Sequence, residues 1–85
     1  MRITRIIWLE EVVEKLRRKH ALEPEEVEEL FESRPYFFFA EKGHREGENV
    51  YGAFGQSQAG RYLVTYFVHK QDKSALIVSA RDMAP

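Results

Sequence analysis

The segment Arg34-Pro35-Tyr36-Phe37-Phe38-Phe39-Ala40 divides the sequence into a helical part and an extended part. Before Pro35, apolar residues recur at the spacing of amphipathic helices. Because proline disfavours the helical conformation of the residue before it, Arg34-Pro35 is predicted to end the last helix. After Pro35, β-branched and aromatic runs alternate with polar stretches that contain turn residues, which predicts strands.

A short strand over residues 3–8, followed by an amphipathic helix, is predicted at the start of the chain. The apolar stripe of this helix ends on a histidine and consists of Leu9, Val12, Val13, Leu16 and His20. Charged residues occupy most of the opposite side, as expected for a helix with one buried face.

A second helix is predicted to begin at Pro24, because the missing N–H of proline would have no partner in a first turn. With Glu23 as the N-cap, Leu22 and Val27 have the spacing of a hydrophobic staple. The predicted buried stripe of this helix is Val27, Leu30 and Phe31.

Four strands are predicted after Pro35, over residues 36–40, 50–56, 62–68 and 75–80. With both helices on one face of the sheet, the predicted fold is an α+β two-layer sandwich. In it, the N-terminal strand and the two helices pack on an antiparallel meander of about four strands.

The composition indicates one folded domain. A chain of 85 residues has room for a single core, and 44% hydrophobic and 13% aromatic residues are enough to build it. The absence of cysteine excludes disulfides, thiolate zinc sites and cysteine nucleophiles, and it fits a reducing cytosol. The apolar runs are too short for a signal-peptide core or a membrane span, so we expect a cytoplasmic protein with no membrane partner.

The net charge of −1 conceals an asymmetry along the chain. Residues 1–20 are rich in arginine and lysine, whereas residues 22–33 carry six glutamates. We therefore expect one basic and one acidic surface. The overall balance does not favour nucleic-acid binding, since such domains usually show a clear basic excess.

Two arginines near the ends of the last two strands are candidates for an anion site. If the last hairpin is symmetric about Gln71, Arg61 faces Arg81 across the strands. Like charges in that position are destabilising, so the pair would indicate a bound anion that neutralises both. The alternative is that Arg81 ends its strand in solvent and Arg61 merely follows a turn.

His20 and Lys19 are the candidates on the first helix. An imidazole exchanges protons near neutral pH, so His20 is a candidate general acid or base, or else a structural residue at the end of the stripe. Lys19 would hold a phosphate, or it belongs to a solvated helix face. His20, His44 and His69 lack metal-ligand spacing, so neither a metal site nor a cofactor is predicted.

The aromatic run Tyr36-Phe37-Phe38-Phe39 allows two interpretations. Exposed rings would offer stacking surfaces for bases. Core packing explains the same run more simply.

Several short stretches, in their order and spacing, resemble the BrnT toxin family. They are Lys19-His20, the segment from Pro24 to Phe31, Gly55-Gln56, Gly60-Arg61-Tyr62-Leu63 and Ser79-Ala80-Arg81-Asp82-Met83. The resemblance implies a RelE-like fold and a single BrnT-like domain over residues 1–85. The family commonly has glycine where this chain has Ala21, so a different turn is expected there. Members usually continue into a basic helical tail, which this domain is expected to lack.

The resemblance further implies a metal-independent endoribonuclease that is the toxin of a bacterial type II toxin–antitoxin system. It implies a ribbon-helix-helix antitoxin as partner, with a homodimer or a heterotetramer with the antitoxin as the assembly. By position, the catalytic residues would be His20, Arg61 and Arg81, and Lys19 would bind the RNA substrate.

The expected reaction is attack of an RNA 2′-hydroxyl on the adjacent phosphate. Arg61 and Arg81 would stabilise the charge on the phosphate oxygens, and His20 would transfer one proton. Two other classes stay open: a non-catalytic antitoxin- or RNA-binding module of the same fold, and an interaction domain unrelated to nucleic acid.

Overall fold

The computed structural model describes residues 1–83 as two helices and five strands. The elements are β1 (Ile6–Ile7), α1 (Glu10–His20), α2 (Pro24–Glu32), β2 (Tyr36–Glu41), β3 (Val50–Gln56), β4 (Tyr62–His69) and β5 (Ala75–Asp82). Within this part of the chain, neither helix has the length and apolar character needed to cross a bilayer.

The strands form a single sheet in the order β1-β5-β4-β3-β2. Strands β2 to β5 pair antiparallel as a meander, whereas β1 pairs parallel to β5. The α+β prediction is confirmed, and the sheet is mixed with five strands. The N-terminal strand predicted over residues 3–8 is shorter than expected, because only Ile6 and Ile7 find partners on β5.

Both helices cover one face of the sheet, and the core lies between the two layers. Leu16 of α1 and Leu30 of α2 are buried against strand residues such as Leu63, Phe67 and Ile77. This burial follows from the predicted helical stripes, because each stripe presents its apolar side chains to the sheet.

The start of α2 has the predicted capping. Glu23 is the N-cap, Pro24 stands in the first turn, and Glu23 and Glu26 form a reciprocal capping box. Leu22 and Val27, the two members of the predicted staple, are fully buried. One oxygen of Glu26 accepts the Glu23 N–H at 3.3 Å, which leaves the other oxygen for a partner on another element.

Helix α1 ends at Ala21, which adopts the left-handed conformation with φ 50° and ψ 41°. The N–H of Leu22 then donates to the carbonyl of Leu16 at 3.2 Å and closes the helix. Glycine adopts this conformation without steric cost, whereas a Cβ makes it unfavourable. Alanine therefore takes the backbone geometry that glycine favours, at a cost in stability.

We predict that Ala21→Gly raises the free energy of unfolding by about 0.5 kcal/mol, because relief of left-handed strain outweighs the extra freedom of the unfolded chain. Urea unfolding measures this change. Lys19→Gly, which places glycine inside the same helix, is the control and should be destabilising by about 1 kcal/mol. A destabilised Ala21→Gly protein would contradict the prediction.

The register of the last hairpin differs from the predicted one, and Arg61 does not face Arg81. Arg81 pairs with Val64, and Leu63 pairs with Asp82. The turn is centred on Asp72, where the Asp72 carboxylate accepts the Ser74 N–H at 2.9 Å.

A bulge adds to this shift. It lies opposite Tyr66 and Phe67, whose partners are Ser79 and Ile77, so Val78 is the extra residue. The predicted pairing is therefore wrong, and the odd shift in register places Arg61 and Arg81 on opposite faces of the sheet.

The aromatic run divides between the two faces of the sheet. Phe37 lies on the helix side, where its ring centroid is 6.3 Å from that of Phe31. Tyr36 and Phe38 lie on the other side, which no helix covers. Core packing therefore accounts for Phe37, whereas Tyr36 and Phe38 lie on the open face and stacking of bases on them stays a prediction.

Gly52 of β3 makes room for Phe38. A Cβ at Gly52 would lie 2.2 Å from the Phe38 ring, so the ring lies directly over the glycine backbone. The Phe38 ring also contacts Tyr66 edge-on, with centroids 6.1 Å apart. The open face is thus a packed aromatic surface, and Gly52 is required for it.

We predict that Gly52→Ala lowers the free energy of unfolding by about 2 kcal/mol, because the Phe38 ring must leave its position. Gly55→Ala is the matched control on the same strand, where the added Cβ would lie 3.2 Å from the Ser33 hydroxyl. Chemical denaturation of both variants should show the smaller loss for Gly55→Ala, and equal losses would contradict the proposed packing.

Candidate functional site

The Arg61 side chain uses all of its N–H groups inside the protein. Nε and Nη2 donate to the two Asp82 carboxylate oxygens, the second at 2.9 Å. Nη1 donates to Glu26 Oε2 and to the Ala21 carbonyl, both at 3.1 Å. Nη2 also donates to the His20 carbonyl at 2.8 Å. The five bonds match the five donors of a guanidinium, so none is left for a phosphate.

The turn before β4 places Arg61 at the junction of the two layers. Gly60 has φ +88°, a conformation that favours glycine, and its N–H donates to the Ser57 carbonyl at 2.9 Å. The Arg61 carbonyl accepts the Ser57 N–H at 2.9 Å, and the Ser57 hydroxyl accepts the Arg61 N–H at 3.2 Å. The backbone of Arg61 is therefore fixed before its side chain makes any contact.

Arg61 binds the C-terminal end of α1, where carbonyl groups have no partner within the helix and carry a partial negative charge. The carbonyls of His20 and Ala21 are two of these groups. Asp82 and Glu26 supply the formal negative charges that balance the guanidinium. Arg61 thereby joins α1, α2, β4 and β5.

The ionisation of Arg61 and Asp82 reflects this pairing. The hydrogen bond with Asp82 is the main cause of a raised pKa for the Arg61 guanidinium. The pKa of the Asp82 carboxyl is lowered, mainly by its hydrogen bond with Arg61 and also by the charge of His20.

A cleft between α1 and the end of β5 is lined by three basic residues, Lys15, His20 and Arg81. Its volume is about 70 Å³, and four apolar residues and Ser79 complete its walls. Within residues 1–83, neither Lys15 nor Arg81 forms a salt bridge with a carboxylate. Lys15 and Arg81 therefore bring to the cleft two positive charges that no salt bridge among these residues neutralises, as an anion-binding site requires.

The residues predicted as a site lie in three places. His20 and Arg81 line the cleft together. Arg61 lies behind the end of α1, held by the contacts described above. Lys19 is exposed on α1 and does not line the cleft.

Sequence reasoning missed Lys15, Asp82 and Glu26. Lys15 was one of several basic residues on α1, and its spacing of three residues after Val12 is the signal that places it beside the apolar stripe. Asp82 and Glu26 are partners of Arg61 only through the tertiary fold, since they lie 21 and 35 residues away in sequence. Sequence spacing carries no signal for these contacts.

No group of three or more metal-ligating side chains comes together in the described part of the chain. His69 lies far from the cleft in the sheet, where its Nε2 is 2.9 Å from the Arg2 carbonyl. His44 lies in the loop between β2 and β3.

Comparison with known proteins defines the class. Residues 8–85 match the family described as "Ribonuclease toxin, BrnT, of type II toxin-antitoxin system". The chain belongs to the BrnT family, and this confirms the resemblance found in the sequence. The protein is therefore a ribonuclease toxin of a type II toxin–antitoxin system. Membership of a type II system implies an antitoxin partner. No curated protein matches the sequence.

A solved structure shows the same fold. The 1.1 Å crystal structure of the Brucella abortus ribonuclease toxin BrnT is similar to this chain with a TM-score of 0.71 and 20% sequence identity. The match covers 95% of this chain and 97% of the Brucella chain. At this level of identity the likeness concerns the fold and assigns no role to individual residues.

We predict that Asp82→Asn lowers the free energy of unfolding by about 1 kcal/mol at pH 7, because Arg61 loses its charged partner in a partly solvated site. Since the pKa of Asp82 is lowered in the folded protein, this stabilisation is present above its ordinary pKa of about 3.9. It is lost as the pH falls through the lower pKa that Asp82 has in the folded protein. Urea unfolding at pH values from 7 to 3 measures the free energies of unfolding of the parent and of Asp82→Asn, which should converge as the pH falls.

An Arg61→Ala background provides the control, because Asp82 has no guanidinium partner there. In that background, Asp82→Asn should change the pH dependence of unfolding little. A stability difference between the parent and Asp82→Asn that persists equally at pH 7 and pH 3 would contradict the role of the ion pair.

Proposed function

We propose that the cleft between α1 and β5 binds an RNA phosphate and cleaves the adjacent bond. The observation that supports this most directly is the convergence of Lys15, His20 and Arg81 on one cleft in a chain of a ribonuclease toxin family. Arg81 extends from the end of a strand and has no carboxylate partner among residues 1–83. A guanidinium is suited to a phosphate because its donors match two oxygens at once.

In the proposed reaction, the RNA 2′-oxygen forms a bond to phosphorus and the bond from phosphorus to the 5′-oxygen breaks. The attacking hydroxyl loses a proton and the leaving oxygen gains one. His20 carries one of these transfers, since it lines the cleft beside Arg81. Arg81 and Lys15 stabilise the negative charge that develops on the phosphate oxygens.

Arg61 has a different role in this proposal from the one its sequence position indicated. Its donors are used by His20, Ala21, Glu26 and Asp82, so it acts as a positioning residue that fixes the end of α1 where His20 lies. Lys19, exposed one residue before His20, holds the RNA backbone outside the cleft.

Membership of the family supports a proposal for the partner and the location of the chain. We propose that the chain acts in the cytoplasm and is neutralised by a ribbon-helix-helix antitoxin, as a homodimer or in a heterotetramer with that partner. The family's membership of type II systems supports the antitoxin.

We predict cleavage of single-stranded RNA in the presence of a chelator, measured under single-turnover conditions. Arg81→Ala should lower the rate about 100-fold, because one charge-stabilising donor set is lost. His20→Ala should lower it about 100-fold through loss of a proton-transfer group. Arg18→Ala, an exposed arginine that lines a separate groove of α1, is the control and should stay within about twofold.

Thermal unfolding distinguishes the structural role of Arg61 from the proposed catalytic role of Arg81. Arg61→Ala should cost about 2 kcal/mol of stability through its lost charged hydrogen bonds, whereas Arg81→Ala should leave stability within about 0.5 kcal/mol. Equal cleavage by the parent, His20→Ala and Arg81→Ala would remove the proposed mechanism. Absence of cleavage by a folded parent that still binds RNA would favour a non-catalytic module.

A further inference from the structure

The face of the sheet that carries no helix has an aromatic surface made of Tyr36, Phe38, Phe54 and Tyr66, here called the aromatic platform. Its rings lie close together: the centroids of Tyr36 and Phe54 are 4.9 Å apart, and those of Phe38 and Phe54 are 6.1 Å apart. Tyr36 is the most accessible member, with 62% of its surface exposed. The rings border a hollow of about 420 Å³.

The pairing of the strands connects this platform to the cleft. Arg81 faces Val64, Val64 faces Phe54, and Phe54 faces Tyr36, so the four residues form one row across β5, β4, β3 and β2. Neighbouring strands are separated by about 4.8 Å, so the row spans about 14 Å between Arg81 and Tyr36. A long arginine and a large ring can both reach a ligand that lies over the middle of the row.

Arg81 is shared by two surfaces. It lines the cleft with His20 and Lys15, and it also lines the hollow of the platform with Tyr36 and Phe54. A phosphate bound at Arg81 would therefore have a neighbouring nucleotide directed over the aromatic rings. Among the described residues, no acidic side chain lines the hollow.

We propose that the aromatic platform stacks a base of the RNA strand whose phosphate is bound at Arg81, with Tyr36 as the main stacking residue. The proposal rests on the proposed function, because it requires RNA at the cleft. A neutral aromatic face with a cation at one end suits single-stranded nucleic acid, in which the π-face of each base is available and the backbone is anionic. Such stacking is tolerant of base identity and positions the strand rather than reading its sequence.

The test measures binding of a short oligoadenylate with methylated 2′-oxygens, which cannot undergo the proposed attack. Fluorescence anisotropy at fixed low salt gives the dissociation constant. Tyr36→Ala should weaken binding about tenfold, whereas Tyr36→Phe, which keeps the ring, should bind within about twofold of the parent.

Phe39→Ala is the matched control. Phe39 lies on the same strand, three residues from Tyr36, and is similarly exposed at 57%, but it faces the helix side, where it packs edge-on against Tyr51. Its removal should leave RNA affinity within about twofold. Phe38 is unsuitable for this comparison because its ring packs over Gly52 and its loss would disturb the sheet.

An abasic scan then identifies the stacked nucleotide. Removal of one base should weaken binding to the parent about tenfold and have little further effect on Tyr36→Ala, because the base and the ring contribute the same interaction. Independent losses at every abasic position would overturn the proposal.

The outcomes distinguish the two proposals. Normal binding by Tyr36→Ala with weakened binding by Arg81→Ala would overturn the platform and leave the cleft in place. Failure of the parent to bind RNA would overturn both. If Tyr36→Ala keeps its RNA affinity but sediments as a smaller species than the parent, the platform is a contact between copies of the chain and the proposal is wrong.

Discussion

The arrangement of the two layers depends on the hydrogen bonds that the Arg61 guanidinium makes. Its five hydrogen bonds reach the last carbonyls of α1, the first turn of α2 and the end of β5. A chain of this size buries a modest fraction of its surface, so a polar junction that fixes three elements is valuable. Because every donor has a partner, the group is held without an unsatisfied polar cost.

Strand register assigns different roles to the two arginines. With the predicted symmetric hairpin they would have been neighbours that share an anion. The turn around Asp72 and the bulge at Val78 instead leave Arg61 bound to the helices, whereas Arg81 lines both the hollow on the open face and the cleft beside α1. One arginine is neutralised within the protein, and the other stays available to a ligand. A displacement of β5 by one residue would turn Arg81 to the other face of the sheet.

Most of the fold follows from local signals in the sequence. The break at Arg34-Pro35, the cap at Glu23 and the alternating strands depend on neighbouring residues, and the structure has them as predicted. The parallel partner of β1 and the hairpin register depend on contacts between distant residues, which spacing does not encode. The same distinction applies to the site. The helical stripe led to His20, whereas the partners of Arg61 could be found only once the chain was folded.

The glutamates of α2 and its cap show why net charge was a poor guide to the cleft. Four of the six bond to other groups: Glu23 to Arg17, Glu26 to Arg61, Glu28 to the Trp8 indole and Glu29 to the Gln58 N–H. These carboxylates form hydrogen bonds between different parts of the chain, so much of the expected acidic surface is engaged in contacts. Lys15 and Arg81, which line the cleft, form no salt bridge in the described residues.

In the proposed function, the field that an RNA phosphate would meet is set by the charges within a Debye length, about 10 Å at moderate salt. A chain with a net charge of −1 can therefore present a positive cleft, provided that its acidic residues are paired elsewhere. Asp82 is the carboxylate whose charge interacts with His20, and its two oxygens accept hydrogen bonds from Arg61. Arg61 therefore balances the carboxylate that follows Arg81 at the same time as it fixes the end of α1. The residue that joins the two layers is also the one that neutralises Asp82, so the packing of the layers and the charge balance beside the cleft depend on the same guanidinium.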